Sequence, residues 1–168
     1  RNDRMKDLSH LEQRFRHKAI YKELGEIREK IATTADPKEK EELIAYEDQI
    51  REFSVKLIEQ VKARDEDAFD RLMSIKDMRN FLHYYTYHIR EYHKFRYGKQ
   101  NVLHEVRFQI FYHVSRNYRM YNEPHEISLL ITSMRNWIKP KVSGALATTY
   151  SPKNDEKLES CFLEETEV

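Results

Sequence analysis

The sequence predicts an all-α fold, and two observations support this prediction. The 168 residues include only 3 Gly and 4 Pro, so turn-forming residues are scarce and most of the chain must lie in long regular elements. Apolar residues recur at steps of three and four, which is the spacing of one helix face. A chain of this length fits one core, and we expect a single helical domain over residues 1–141 followed by a tail.

The first part of the chain, residues 3–64, is predicted to form a long antiparallel helical hairpin. Gly25 lies within the apolar stripe of the first helix and marks a break or kink. Asp36 is suited to cap the second helix, and Pro37 takes its first position, where a missing N–H does no harm. The stripe of the first helix consists of Met5, Leu8, Leu11, Phe15, Ala19, Leu24, Ile27 and Ile31.

The second helix of the hairpin carries a seam of apolar residues. Its members, spaced 3, 4, 3 and 4 residues apart, are Leu43, Tyr46, Ile50, Phe53 and Leu57. This spacing is typical of helices that pack along a coiled-coil seam. We therefore expect the hairpin to hold the fold together and to serve for self-association.

Residues 65–141 are predicted to add two or three helices, which makes four or five in all. Asp65 to Asp67 supply negative charge at the start of the third helix. Asn101 is expected to cap the fourth helix, and Pro124 to open a fifth helix that Pro140 ends. Whether the second and third helices are separate or form one bent rod is left open by the sequence.

The last residues, 142–168, are predicted to form a flexible acidic tail. They include two basic and six acidic side chains. Large apolar residues are few and scattered there, so burial poorly offsets the entropy lost on ordering the segment.

The net charge of +1 conceals a strongly basic middle region. Residues 71–141 contain 13 Arg and Lys against 5 Asp and Glu, and the stretch from Arg79 to Tyr121 is also dense in Tyr, Phe and His. Such mixtures bind nucleic acid, because cations neutralise phosphates while aromatic rings stack on unpaired bases. The alternative is that the rings build the core of the helical part. The residues expected to contact nucleic acid are Arg90, Arg96, Lys99, Arg116 and Arg119.

Two Arg and His pairs in this region suggest ribonuclease chemistry, in which the Arg holds a phosphate and the His moves a proton. Arg79 and His83 are four residues apart and share a helix face. The segment resembles the Arg-polar-spacer-His motif of the HEPN family of helical ribonucleases, although it has three intervening residues where the family has about four to six. Arg107 and His113 have five intervening residues, but Phe108 stands where the family has a polar residue. The resemblance covers under ten residues at each place and implies a metal-independent ribonuclease with these four catalytic candidates.

The sequence predicts neither a metal site nor a cofactor. Cys161 is the only cysteine. His83, His88 and His93 recur every five residues, so their rings point in different directions around a helix and do not converge on one ion. No nucleotide-binding or hydrolase motif is found.

The C-terminal sequence Glu164-Glu165-Thr166-Glu167-Val168 resembles the peptide ligands of PDZ domains. Such a peptide adds a strand to a sheet edge, its free carboxylate sits in a backbone nest, and its last side chain fills a pocket. The resemblance implies a PDZ-domain partner that contacts Glu165, Thr166 and Val168.

Two broad functions are compatible with these patterns. The chain has no stretch of about 20 uncharged apolar residues and no secretory leader, so we expect a soluble, cytoplasmic protein without a membrane span. The function predicted first is a non-enzymatic helical interaction or assembly module, whose tail binds a PDZ domain. The alternative is an RNA-binding helical protein that uses the basic aromatic region, with a HEPN-like ribonuclease as its enzymatic version.

Overall fold

The computed structural model describes the backbone of residues 2–150 and the side chains of residues 8–150. Within these limits every regular element is helical, which confirms the all-α prediction. The described residues form eight α-helices, rather than the four or five expected, and a π-helical turn at His113–Asn117. The α-helices are α1 (Asn2–Phe15), α2 (Ile20–Thr33), α3 (Pro37–Lys62), α4 (Glu66–Ser74), α5 (Lys76–Tyr92), α6 (Lys99–Tyr112), α7 (Glu126–Arg135) and α8 (Ile138–Thr149).

The chain divides into two compact units. Unit 1 consists of residues up to 79 and 114–133, and the described part of unit 2 consists of residues 80–113 and 134–150. The three boundaries fall inside α5, inside the π-helical turn and inside α7. The single domain expected over residues 1–141 stays a prediction.

The first predicted helix is in fact two helices, α1 and α2, and the break lies at residues 16–19 rather than at Gly25. The buried carboxylate of Asp77 accepts hydrogen bonds from the backbone N–H of Ile20 (2.8 Å) and of Tyr21 (3.4 Å). The first N–H groups of a helix have no partner within the helix itself. Asp77 therefore fixes where α2 begins, a contact that the local sequence pattern does not reveal.

Helix α3 is the packing centre of unit 1, because α1, α2 and α4 all contact it. Ile50, Phe53 and Leu57 are buried, as the seam predicts, and Leu43 is half-buried. The rings of Phe15 and Phe53 lie 6.0 Å apart between their centroids. Since α3 contacts two shorter helices instead of one long one, the predicted two-helix hairpin is not confirmed.

Two predicted helix starts are confirmed. Asp36 precedes α3 and accepts a hydrogen bond from the N–H of Lys38 (3.0 Å), with Pro37 at the first helical position. Asp65 precedes α4 and accepts a hydrogen bond from the N–H of Asp67 (3.0 Å). The second and third predicted helices are therefore separate, and the third is itself divided into α4 and α5.

The loop before α7 is organised by Glu126, which is fully buried. Its carboxylate accepts hydrogen bonds from the hydroxyl of Tyr118 and from the backbone N–H groups of Tyr121 and Glu123, both at 3.1 Å. Burial and the hydrogen bond to Glu126 raise the pKa of Tyr118. The buried charge is thus paired with donors, as a buried carboxylate requires.

In unit 2, α6 packs against α8. The apolar residues fully buried in these two helices are Val102, Val106, Ile110, Ile138, Val142 and Leu146. Gly98, rather than Asn101, is the residue that precedes α6, and Asn101 is buried in the first turn. The prediction that Asn101 caps this helix is therefore wrong.

Two further expectations fail at α8. Pro140 lies in the first turn of this helix, where its missing N–H is not needed, so it begins a helix instead of ending one. The helix then continues to Thr149, with Val142 and Leu146 fully buried, so the boundary expected at residue 142 is wrong. The rest of the predicted tail, residues 151–168, lies outside the described residues. None of the helices described is both long enough and apolar enough to cross a membrane.

Candidate functional site

Unit 2 carries the excess of positive charge. Its described residues include eight Arg and Lys but two acidic residues, Glu91 and Glu105. Glu105 is buried and accepts a hydrogen bond from the side chain of Gln109 (3.2 Å), whereas Glu91 is exposed. Unit 1 is nearly neutral, with 20 basic and 21 acidic residues. The charge that the described part of unit 2 presents to solvent is therefore almost entirely positive.

Four large aromatic side chains are exposed along α5 and the turn that follows it, and we call them the aromatic strip. Their exposed fractions are 60% for Tyr84, 57% for Tyr87, 60% for Tyr92 and 47% for Phe95. Tyr84 and Tyr87 are three residues apart, so they lie on one face of α5. The ring centroids of Tyr87 and Phe95 are 6.2 Å apart. Packing in the core therefore does not explain why aromatic residues occupy these four positions.

Two cations lie against the aromatic strip. The guanidinium carbon of Arg90 is 5.3 Å from the ring centroid of Phe95, and Nζ of Lys139 is 3.7 Å from the ring centroid of Tyr92. A cation within about 6 Å of an aromatic face is attracted to it. Two rings of the strip, Phe95 and Tyr92, are therefore each paired with a cation, and aromatic faces beside positive charge suit an unpaired nucleotide.

The turn after α5 has an unusual backbone. The N–H of Lys94 donates to the carbonyl of Glu91 (2.9 Å), and the N–H of Phe95 donates to the carbonyl of Arg90 (2.7 Å). This pair of bonds closes a helix with one residue in the left-handed conformation, usually Gly. Here that residue is Lys94, at φ 54°, and Phe95 is left-handed as well, at φ 57°. The turn thus presents an aromatic ring from a backbone conformation that bulky residues rarely adopt.

A polar cluster lies beside Tyr92 in the same unit. Nε2 of His93 is 2.9 Å from Oγ of Ser143. Burial, followed by the positive charges of Arg96 and Lys139, lowers the pKa of His93. The imidazole is therefore neutral at neutral pH, so the positive charge of this cluster comes from the arginine and the lysine.

The five residues expected to bind nucleic acid are divided between the units. Arg90, Arg96 and Lys99 belong to unit 2, and the last two of these are exposed. Arg116 and Arg119 are exposed in unit 1. Unit 2 therefore holds three of the five, together with the aromatic strip.

The four catalytic candidates lie in different surroundings, although Arg79 and His83 are four residues apart on α5, as expected. Arg79 belongs to unit 1 and donates to a backbone carbonyl at 2.9 Å, whereas His83 is an exposed residue of unit 2. Arg107 is half-buried. His113 is 7% exposed and packs its ring against Trp137, with 4.8 Å between the centroids. A histidine in that position does not reach a phosphate in solvent, and the ribonuclease stays a prediction.

Unit 1 contains an open groove of about 660 Å³ along the outer side of α3. Four of its five charged residues pair within the helix, Arg51 with Asp48 at 3.3 Å and Lys56 with Glu52 at 3.2 Å, and the fifth, Glu59, is negative. Paired charges on a surface neutralise each other and select charged ligands poorly. We therefore place the candidate site in unit 2.

The remaining sequence predictions concern the C-terminus and metals. Glu165, Thr166 and Val168 lie outside the described residues, so binding to a PDZ domain stays a prediction. Among the residues the structure describes, no three His, Cys, Asp or Glu side chains come together as metal ligands.

Sequence reasoning missed Lys94, Phe95, Lys139 and Ser143 as members of the site. The helix end expected at Pro140 places Lys139 in the last turn of a helix and Ser143 in the tail. One feature of the sequence, the absence of acidic residues, could have identified these four residues. The sequence has no Asp or Glu between Glu91 and Glu105, nor anywhere from 127 to 154, and both stretches contribute to unit 2.

Comparisons of the chain with protein-family models, with curated proteins and with solved structures gave no significant match. The function therefore has to be argued from the chemistry of these residues.

Proposed function

We propose that this chain binds single-stranded nucleic acid, RNA above all, through the basic aromatic side of unit 2. One observation supports this proposal most strongly: the aromatic strip is exposed beside cations, and the one exposed acidic residue in the described part of unit 2 is Glu91, which is hydrogen-bonded to Tyr87. Proteins that bind single strands combine cations that follow the phosphates with rings on which bases stack.

Two other aromatic residues of unit 2 extend this chemistry to α6. Phe108 and Tyr112 are exposed, at 50% and 38%, and lie four residues apart on that helix. Half of the surface of Phe108 is open to solvent, where a base could stack on it. A strand that passes over unit 2 would therefore meet rings on two helices.

Assembly through the seam of α3, the function predicted first from the sequence, receives less support. Ile50, Phe53 and Leu57 are buried within one chain, so they offer no exposed apolar face to a second copy. A catalytic role receives less support as well, because His113 is buried and Arg79 is engaged with the backbone.

The experiment is a binding titration of the full chain with a fluorescent single-stranded RNA, followed by anisotropy at several salt concentrations. We expect binding at about 50 mM salt, and an affinity that falls by roughly 0.7 log units per tenfold salt for each phosphate contact. The variant Arg96→Ala with Lys99→Ala should lose two contacts, and its slope should be smaller by about 1.4.

The matched control is Lys38→Ala with Lys40→Ala, which removes the same charge from exposed positions of unit 1. The control should keep the wild-type slope. If the wild-type chain does not bind at about 50 mM salt, or if the two double variants behave alike, the proposal is overturned.

A further inference from the structure

Phe95 adopts a costly conformation that the hydrogen bonds of the helix end do not require, although it lies in a turn that the N–H of Arg96 closes by donating to the carbonyl of His93 (3.1 Å). The hydrogen bonds that close the helix need one left-handed residue, and Lys94 already supplies it. A second left-handed residue with a Cβ adds a further steric cost. Burial does not offset this cost well, because 47% of Phe95 is exposed.

The ring of Phe95 is nevertheless held in place. Arg90 lies over it, with 5.3 Å from the guanidinium carbon to the ring centroid, and the ring of Tyr87 meets it at 61°. These two contacts orient the ring while nearly half of the residue faces solvent. A side chain that is oriented before its ligand arrives loses little rotamer freedom on binding.

The residues on both sides of Phe95 are exposed cations, Lys94 and Arg96. An unpaired nucleotide offers one aromatic face and a phosphate on each side of its sugar. The order cation, ring, cation along the turn matches the order phosphate, base, phosphate along a strand.

We propose that Phe95 is the principal base-stacking residue of the site, and that the turn Lys94–Arg96 binds one unpaired nucleotide. This inference rests on the proposed function and makes it more specific. Since both faces of a base in a duplex are already stacked, the turn selects single strands over duplexes. The strained backbone of Phe95 is then explained by its function, because it holds the ring where a base can stack on it.

The test uses two substitutions in the full chain. Phe95→Gly removes the ring, and Gly accepts φ 57° without strain, so this variant should unfold at the wild-type temperature or above it. Its affinity for single-stranded RNA at low salt should nevertheless fall by about five- to 100-fold, the effect of losing one stacked base. Phe95→Trp keeps an aromatic face and should bind within about threefold of wild type.

The control is Tyr21→Ala, which removes a ring of unit 1 that is exposed at 58%, against 47% for Phe95, and should leave the affinity unchanged. Phe95→Gly binding as tightly as the wild-type chain would overturn the inference, leave the proposed function standing, and point to a protein partner for the ring. A wild-type chain that binds no single strand would overturn the proposed function instead. A wild-type chain that binds duplex and single strand equally well would contradict the stacking of an unpaired base.

Discussion

Glu23 is the side chain on which the charges of the α1–α2 region converge. Its buried carboxylate pairs with Arg14, with Lys18 (3.0 Å) and with the hydroxyl of Tyr46 (2.7 Å). Burial by itself would raise the pKa of Glu23, but the hydrogen bonds from Arg14, Tyr46 and Lys18 outweigh it and lower the pKa to about 2. Burial and the hydrogen bond to Glu23 raise the pKa of Tyr46 to about 12.

The shift at Glu23 makes unit 1 sensitive to acid. Because the folded-state pKa lies below the ordinary value of 4.5, this carboxylate stabilises the fold fully above about pH 4.5, and the contribution is lost as the pH falls towards about 2. Glu23→Gln should lower the free energy of unfolding by about 2 to 3 kcal/mol at neutral pH. The difference from wild type should shrink in urea titrations at about pH 3.

The control for this measurement is Glu26→Gln, which disrupts an exposed pair with Lys18 at 2.8 Å. Exposed pairs contribute at most about 1 kcal/mol, so this variant should stay close to wild type. A Glu23→Gln effect that is equally large at neutral and acid pH would show that the hydrogen-bond geometry, rather than the ionised carboxylate, matters there.

At the scale of elements, α3 and α5 end in the same way. After α3, the N–H of Arg64 donates to Val61 (2.8 Å) and the N–H of Asp65 donates to Gln60 (3.1 Å), with Arg64 at φ 65°. Lys94 takes the equivalent place after α5. Basic side chains near helix carbonyls are favoured by the helix dipole, and this chain uses them where glycine is the usual residue.

Arg64→Gly should therefore stabilise the protein by about 0.5 to 1 kcal/mol, because Gly adopts a positive φ without a steric cost. Arg64→Ala removes the same side chain but keeps the Cβ, so it should bring no gain. Chemical denaturation of the two variants measures the difference. Equal stability of the two would mean that the left-handed backbone carries no strain at this position.

Some helix boundaries can be predicted from the neighbouring residues in the sequence, and others cannot. Asp36 and Asp65 were predictable, because each caps a helix with its own side chain two residues away. The start of α2 was not predictable in this way, because the side chain that caps it, Asp77, belongs to α5. Pro140 was misread because a proline both ends helices and fits their first turn, and only the burial of Val142 and Leu146 distinguishes the two cases.

At the scale of the whole molecule, the charge is divided along the chain as well as between the units. Residues 151–168 contain two Lys and six Asp or Glu, whereas the described part of unit 2 is strongly basic. Exposed charges of opposite sign reduce the attraction of a polyanion at low ionic strength. The sequence predicted this charge map, but it did not predict which rings would be exposed, since helical spacing places Tyr84 and Tyr85 on neighbouring positions without stating which one faces the core.

Deletion of residues 151–168 raises the formal net charge from +1 to +5. We expect the association rate with single-stranded RNA to increase at about 10 mM salt, where the screening length is about 30 Å, and the increase to disappear near 1 M salt. Stopped-flow fluorescence measures the rate. The control replaces the six carboxylates by amides, which raises the net charge to +7, and should give an increase at least as large. A deletion that slows association at low salt contradicts this electrostatic account.

The hydrogen bond from Ile20 to Asp77 joins residues 57 positions apart. Most contacts in a helical protein are local and form early, but this one requires a long loop to close first. During synthesis, Asp77 leaves the ribosome only after α2, α3 and α4 have been made. The hydrogen bonds between Asp77 and the first turn of α2 can therefore form only after helices α2 to α4 have been synthesised. The N-terminal part of the chain cannot complete its native structure before then.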